Sequence, residues 1–134
     1  MSEDRSPRRI VEQLLAGIAA GPNAALAELY APDAVVDIVF ARPGGLRLEG
    51  RAALAEHFAR VSRAPLRLTP ERVVFYETVD PELVIVEYDY RGEGTESGRT
   101  FVAPNVLIVR VKDGLILASH DYHDHGAIAE VLGA

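Results

Sequence analysis

From Arg72 to Asp124 the chain is an almost unbroken series of strand-forming segments, and this run restricts the fold more than any other feature. β-Branched and aromatic residues alternate with polar ones over Arg72–Thr78, Leu83–Arg91, Thr100–Val111 and Leu115–Asp124, the pattern of strands with one buried face. Asp80-Pro81 punctuates the first pair, the polar stretch Gly92–Arg99 separates the second, and Lys112-Asp113-Gly114 is a tight hairpin signal. Strands joined this closely pair antiparallel, and their apolar face needs a cover.

The first half of the chain supplies that cover. Ser6-Pro7 reads as an N-cap followed by proline at the first helical position, and Ile10, Val11, Leu14, Leu15 and Ile18 recur at helical spacing until Gly21-Pro22. Asn23 caps a second short helix carrying Leu26, Leu29 and Tyr30, which Pro32 stops. Ala34–Phe40 is short and β-branched, hence a strand, and beyond the turn at Arg42–Gly45 the segment Leu46–Glu49 returns as its partner. Gly50 opens a third helix from Arg51 to about Ser62, with Leu54, Phe58 and Val61 inward. A tail around Ala127–Leu132 is a further helical segment. The order predicts one α+β domain over residues 1–134, without linker, repeat or low-complexity segment.

Charge and composition remove several function classes. Twenty acidic against 14 basic residues leave a formal charge of −6, and the basic residues are scattered, so there is no nucleic-acid footprint. The absence of cysteine excludes thiolate catalysis and cysteine-based metal sites. The charged start and the amphipathic run that follows argue against a signal peptide or membrane span, so a cytoplasmic protein is expected. Gly92-Glu93-Gly94 precedes a strand and carries acidic charge, the wrong setting for a phosphate cradle.

Five stretches together have a familiar order: LYAPDAVV at 29–36, LEGRAALAEHF at 48–58, YETVDPELVIVEY at 76–88, GRTFVAPNVLIVRVKDGLI at 98–116 and HDYHD at 120–124. Through them the chain resembles SnoaL-like proteins of the NTF2-like superfamily over roughly residues 8–128. The resemblance implies an α+β cone in which three N-terminal helices pack on a strongly curved, mostly antiparallel sheet and enclose one largely apolar pocket. It implies a small-molecule function without metal or cofactor, and a homodimer through the outer sheet face. Ketosteroid isomerases, polyketide cyclases, epoxide hydrolases and non-catalytic binding modules share this fold, so the site must decide among them.

Carried onto this sequence, the three functional positions of the ketosteroid isomerases fall on Leu14, Val106 and Ile38, all aliphatic. They, with Phe40, are expected to line the pocket, but they cannot perform isomerase chemistry. The aspartate–arginine–aspartate set of the epoxide hydrolases is incomplete, since Val102–Val109 offers neither residue. The SnoaL-type cyclases rely on a single aspartate on the final strand, and Asp121 matches that role.

Strand alternation puts Ser119, Asp121, His123 and His125 on one face, and the resemblance turns that face toward the pocket. A carboxylate among apolar side chains has its pKa raised, as a neutral-pH acid or base requires. His57 lies on the inward stripe of its helix beside Leu54 and Val61, where it is either a proton-handling partner or a core histidine bonded to a carbonyl. Tyr88 and Tyr90 share the face of Val84 and Val86, and Tyr30 is at a further pocket position in the resemblance; tyrosines there suit an aromatic, partly oxygenated ligand or simply fill the core. A metal reading of His123 and His125 with Asp121 or His57 competes, against the generally metal-free relatives. The expected roles are therefore proton transfer by Asp121 with His57 and His123, and ligand contact by Tyr30, Tyr88, Tyr90 and Ser119. The rival expectations are a non-catalytic metabolite-binding module or a dimerisation domain. Leu107, Val109 and Val111 are read as an apolar outward face that carries the dimer contact.

Overall fold

A computed structural model describes residues 4–132. Helix α1 (Pro7–Ala20) begins where Ser6 Oγ accepts a hydrogen bond from the Arg9 amide at 3.3 Å, and it buries Ile10, Val11, Leu14 and Leu15. A 3-10 segment (Ala24–Leu29) follows, capped by Asn23, whose Oδ1 accepts from the Ala25 amide at 2.9 Å. Strands β1 (Tyr30–Ile38) and β2 (Leu46–Glu49) come next, then helix α2 (Arg51–Ser62). Four strands complete the sheet: β3 (Leu66–Glu77), β4 (Leu83–Gly94), β5 (Thr100–Lys112) and β6 (Leu115–Tyr122). Helix α3 (His125–Val131) ends the described chain.

The six strands form one curved sheet in the order β2-β1-β6-β5-β4-β3. Every neighbouring pair is antiparallel except β1 and β6, which run parallel. The register breaks between Tyr30 and Val35 in β1, between Glu71 and Val74 in β3 and between Arg110 and Val111 in β5, irregularities of the kind that curve a sheet. Arg72 marks the break in β3 with a φ of 55°. Asp113 and Gly114, at φ 53° and 75°, form the tight turn that matches sheet twist between β5 and β6. The core lies in the concavity, where α1 and α2 pack on Val84, Val86, Val109 and Ile116. Two α-helices and one 3-10 segment make up the N-terminal cover.

Several boundaries differ from those expected. The second helix is a 3-10 segment too short to include Tyr30, which opens β1. That strand ends at Ile38, leaving Phe40 in the turn. β3 begins at Leu66 rather than Arg72; it is an edge strand, and such a strand tolerates Pro70. Gly92–Gly94 continue β4 instead of opening a loop. β6 stops at Tyr122, so His125 is the first residue of α3 rather than a strand residue. Leu107, Val109 and Val111 are buried in the concave face, and the outward face of β5 is Val102, Pro104, Val106, Ile108 and Arg110. Both faces of β5 are aliphatic, so alternation alone does not distinguish inside from outside.

Candidate active site

Helices α1 and α2, the concave sheet face and α3 enclose a cavity of about 300 Å³. Leu14, Ile18, Leu54 and Val61 contribute the helical wall, Val36, Ile38 and Leu107 the sheet, and Ile128 and Leu132 the C-terminal cover. Against this apolar lining stand Asp121, His57, His123, His125, Tyr30, Tyr88 and Tyr90. Two elements are fastened together here by Arg51, which donates from Nε (3.0 Å) and Nη2 (2.7 Å) to the Tyr30 carbonyl. The link holds the first turn of α2 to the start of β1, and so relates His57 to Tyr30.

Asp121 is placed by β6, between the parallel strand β1 and the antiparallel strand β5, opposite Ile38 and Leu107 respectively. Its side chain is 17% exposed. Ser119, buried beneath it on the same face, donates its hydroxyl to Asp121 Oδ1. Burial pushes the Asp121 pKa up to about 6; the Ser119 bond and His120 work the other way, and Asp37 adds to the rise. Asp37 lies on the opposite sheet face, paired with Arg47 at 2.8 Å and near His120 at 3.5 Å. Asp121 is therefore ionised at neutral pH but close enough to its pKa to receive and return a proton.

His123 follows the end of β6 and is 15% exposed. Its Nδ1 is 3.1 Å from Asn105 Oδ1, and its Nε2 is 4.0 Å from Asp121 Oδ2. A carbonyl oxygen can only accept, so Nδ1 carries the proton and Nε2 turns its lone pair toward Asp121. Asn105 is oriented by its own Nδ2, which donates to the Ala103 carbonyl at 3.4 Å. The His123 ring stacks on Tyr90 with centroids 5.7 Å apart. Its pKa falls to about 4, chiefly through burial and further through His125 and His57. At 4.0 Å His123 and Asp121 are beyond hydrogen-bond distance, and the neutral His123 ring puts no charge beside Asp121.

His57 is half-buried on α2, edge-on to Phe58 at 5.8 Å, and burial lowers its pKa. It lines the same cavity as Asp121. Tyr88 and Tyr90 meet edge to face at 5.1 Å, and burial pushes Tyr90 up to about 12 and both Tyr30 and Tyr88 well above 10. All three remain neutral hydroxyl groups at working pH. Among the described residues, no group of three or more His, Asp or Glu side chains has the convergence of a metal site.

Among the expected contact residues, Leu14, Ile38, Tyr30, Tyr88 and Tyr90 line the cavity, whereas Ser119, Phe40 and Val106 do not. Ser119 is buried, with its hydroxyl bonded to Asp121. Phe40 is 59% exposed and packs on Tyr122, and it bounds an outer groove together with Val106. Val106 points outward because its neighbours Asn105 and Leu107 take the inward positions. Asn105, Leu107, Ile128 and Leu132 were missing from the sequence-derived set. Asn105 had one visible signal: it is a lone polar residue within the aliphatic run of β5.

A family model for the SnoaL-like domain matches residues 11–119. An uncharacterized PhzA/B-like protein of Pseudomonas aeruginosa is 33% identical over 114 residues, covering 79% of this chain and 75% of that protein. The fold is similar to that of a Bacillus subtilis protein provisionally named an isomerase, with a TM-score of 0.86 at 22% identity over 99% of this chain and 96% of that one. It is also similar to a Pseudomonas putida protein provisionally named a polyketide cyclase, with a TM-score of 0.79 at 21% identity, covering 93% and 96%. Among the described residues no helix is long and apolar enough to cross a membrane.

Proposed function

The chain belongs to the SnoaL-like domain family of the NTF2-like superfamily, and from that premise we propose that it is a cofactor-independent acid/base enzyme acting on an apolar or aromatic metabolite, with Asp121 as the proton carrier. One observation carries the reading: a buried carboxylate with a pKa of about 6 stands in an apolar cavity beside a neutral histidine. At neutral pH the Asp121 carboxylate removes a proton from an acidic C–H or O–H of the ligand. It then delivers that proton to another atom of the same molecule, leaving the enzyme unchanged. Cyclisation, isomerisation and epoxide opening all have this requirement. His123, held by Asn105, stands beside the carboxyl group as a neutral ring, and His57 borders the same space from α2. Tyr30, Tyr88 and Tyr90 form the wall against which a ring lies.

The open cavity supports a pocket function over a dimerisation domain, whose core would be filled with side chains. Native mass spectrometry of freshly purified protein supplies the ligand, and turnover of that ligand supplies the test. Asp121→Asn preserves volume and is expected to keep binding while reducing turnover by about 10²- to 10⁴-fold. Wild-type turnover in the variant would make Asp121 structural. Binding without turnover in the unmodified protein would make it a metabolite-binding module.

A further inference from the structure

Ser119 is a polar residue in a floor that is otherwise aliphatic. Its register partners on either side are Val36 of β1 and Val109 of β5, and all three are buried. Among the described residues the Ser119 hydroxyl has one hydrogen-bond partner, Oδ1 of Asp121, two residues further along the same strand face. A hydroxyl withdrawn from water among valines costs free energy unless it is bonded, and alanine or valine would fill this position without that cost. Packing therefore does not account for a serine here, whereas the carboxylate above it does.

The bond makes the two carboxylate oxygens unlike. Oδ1 is tied to the strand through Ser119, while Oδ2 has no hydrogen-bond donor among the described residues and lies 4.0 Å from His123 Nε2. The serine can donate to Oδ1 when the group is ionised and also when a proton sits on Oδ2, because Oδ1 is then the carbonyl oxygen. It donates more strongly to the ionised form, and so opposes burial, which favours the neutral one. The further titratable groups that line the cavity are Tyr30, His57, Tyr88, Tyr90, His123 and His125, and among the described residues none of them hydrogen-bonds the carboxylate. The side chains that α1, β2, β3 and β5 bring to the cavity are apolar, and Asp37 and His120 act from the opposite face of the sheet.

We infer that Ser119 is a positioning residue for Asp121, whose hydroxyl holds Oδ1 against the floor and turns Oδ2 to the ligand as the atom that takes and returns the proton. Ser119 does not line the cavity, so it acts through Asp121 and not by the ligand contact expected from its strand face. The inference rests on Asp121 being the proton carrier and assigns the group that sets its orientation and working pH. Without the hydroxyl, Asp121 would lose the bond that favours its charged form and would stay protonated, unable to act as a base, to a higher pH.

Carbon-13 NMR of protein labelled at the aspartate carboxyl groups, with the Asp121 signal assigned through Asp121→Asn, reads this titration directly. The unmodified protein is expected to titrate at about pH 6. Ser119→Ala, which removes only the hydroxyl oxygen, should raise the midpoint by about one pH unit or more, the tenfold worth of a hydrogen bond to an ionised group. Ser119→Thr, which restores the hydroxyl, should bring the midpoint back to about 6. Crystal structures at about pH 8 read the orientation. In the unmodified protein Ser119 should bond one carboxylate oxygen and leave the other facing the cavity, and in Ser119→Ala the carboxylate should turn or divide between two orientations. An unmoved midpoint in Ser119→Ala, a midpoint raised as far in Ser119→Thr, or an unturned carboxylate in the alanine variant would each overturn the inference. If Ser119→Ala does not fold, the crystal structure of the unmodified protein decides, and a Ser119 hydroxyl beyond hydrogen-bond distance of both oxygens overturns it. None of these readouts involves turnover. Wild-type turnover in Asp121→Asn would overturn the proposed function and leave the hold of Ser119 on the carboxylate standing, so the two failures are distinct.

Discussion

At neutral pH Asp121 carries a charge that its surroundings disfavour, while His123 lacks one for the same reason, and the two respond to pH in opposite directions. The folded pKa of Asp121, about 6, is raised above its ordinary 3.8. Its contribution to stability is therefore complete below pH 3.8 and is lost as pH rises through 6. The folded pKa of His123, about 4, is depressed from 6.5. Its contribution is complete above pH 6.5 and is lost as pH falls through 4. Removing the carboxylate charge leaves only the second effect. Asp121→Asn is thus expected to be more stable than the unmodified protein at pH 8, by on the order of 3 kcal/mol. The gap should close as pH falls toward 4, which thermal unfolding across that range measures; an equal melting temperature at pH 8 would refute the burial argument. A separate reading comes from ¹⁵N NMR of the imidazole rings, where His123 is expected to stay neutral and protonated at Nδ1 until about pH 4. An imidazolium signal for His123 at pH 6 would remove its assigned role. At this scale Asp121 and His57 were legible, because strand and helix phase each point one way. Asn105 was not, because its part depends on a histidine 18 residues further on that turns in after β6 has ended.

The elements were legible wherever a single local signal governs them: Ser6-Pro7 for α1, Gly50 for α2 and Asp113-Gly114 for the β5–β6 turn. They were obscured where tertiary position overrides local preference. Pro70 looks like a strand breaker, yet on the edge of a sheet its missing N–H costs no ladder bond that a neighbour needs. Gly92 and Gly94 resemble loop residues but are inward positions of β4, kept small because something lies against them. At Gly94 that neighbour is α3: a Cβ there would stand 2.4 Å from the Val131 carbonyl oxygen, the same oxygen to which Ser97 Oγ donates. Arg99 adds a bond to the Glu130 carbonyl at 3.0 Å, and Asp124 caps the helix through the Ala127 amide at 2.9 Å. The seat of α3, and with it Ile128 and Leu132 over the cavity, thus depends on a glycine two strands away from Asp121. Gly94→Ala is expected to displace the end of α3 while sparing the sheet. Hydrogen exchange would then show lost amide protection across residues 128–132 with β4 to β6 unchanged. Retained protection in α3 would show that the contact adjusts without cost.

For the whole molecule, the question is what becomes of the convex sheet face. Register places Tyr76, Ile85, Ile108, His120, Asp37 and Arg47 in one row across all six strands. The β6–β1–β2 half of this row is a charged cluster, with Arg47 and His120 on either side of Asp37. The β3–β4–β5 half of the row is Tyr76, Ile85 and Ile108; in the next row Glu87 stands between Val74 and Val106 and accepts from the Tyr76 hydroxyl, and further along Val102, 62% exposed, pairs with Arg91. No helix among the described residues covers this face, because α1, α2 and α3 all contribute to the concave side. A solvated antiparallel sheet normally shows polar residues outward, and an apolar patch rimmed by charge is the signature of a protein contact. The residues expected to make that contact, Leu107, Val109 and Val111, are in the core, but the argument for a homodimer transfers to Ile85, Val106 and Ile108. The charged half then sets the edge of the interface, where desolvating Asp37 and Arg47 would cost more than it gains. The chain is expected to sediment as a dimer at micromolar concentration. Ile108→Glu, which puts a charge directly opposite Ile85, is expected to yield a folded monomer with unchanged far-UV circular dichroism. A monomeric unmodified protein would refute the assembly, and a dimeric Ile108→Glu protein would place the contact on some other surface.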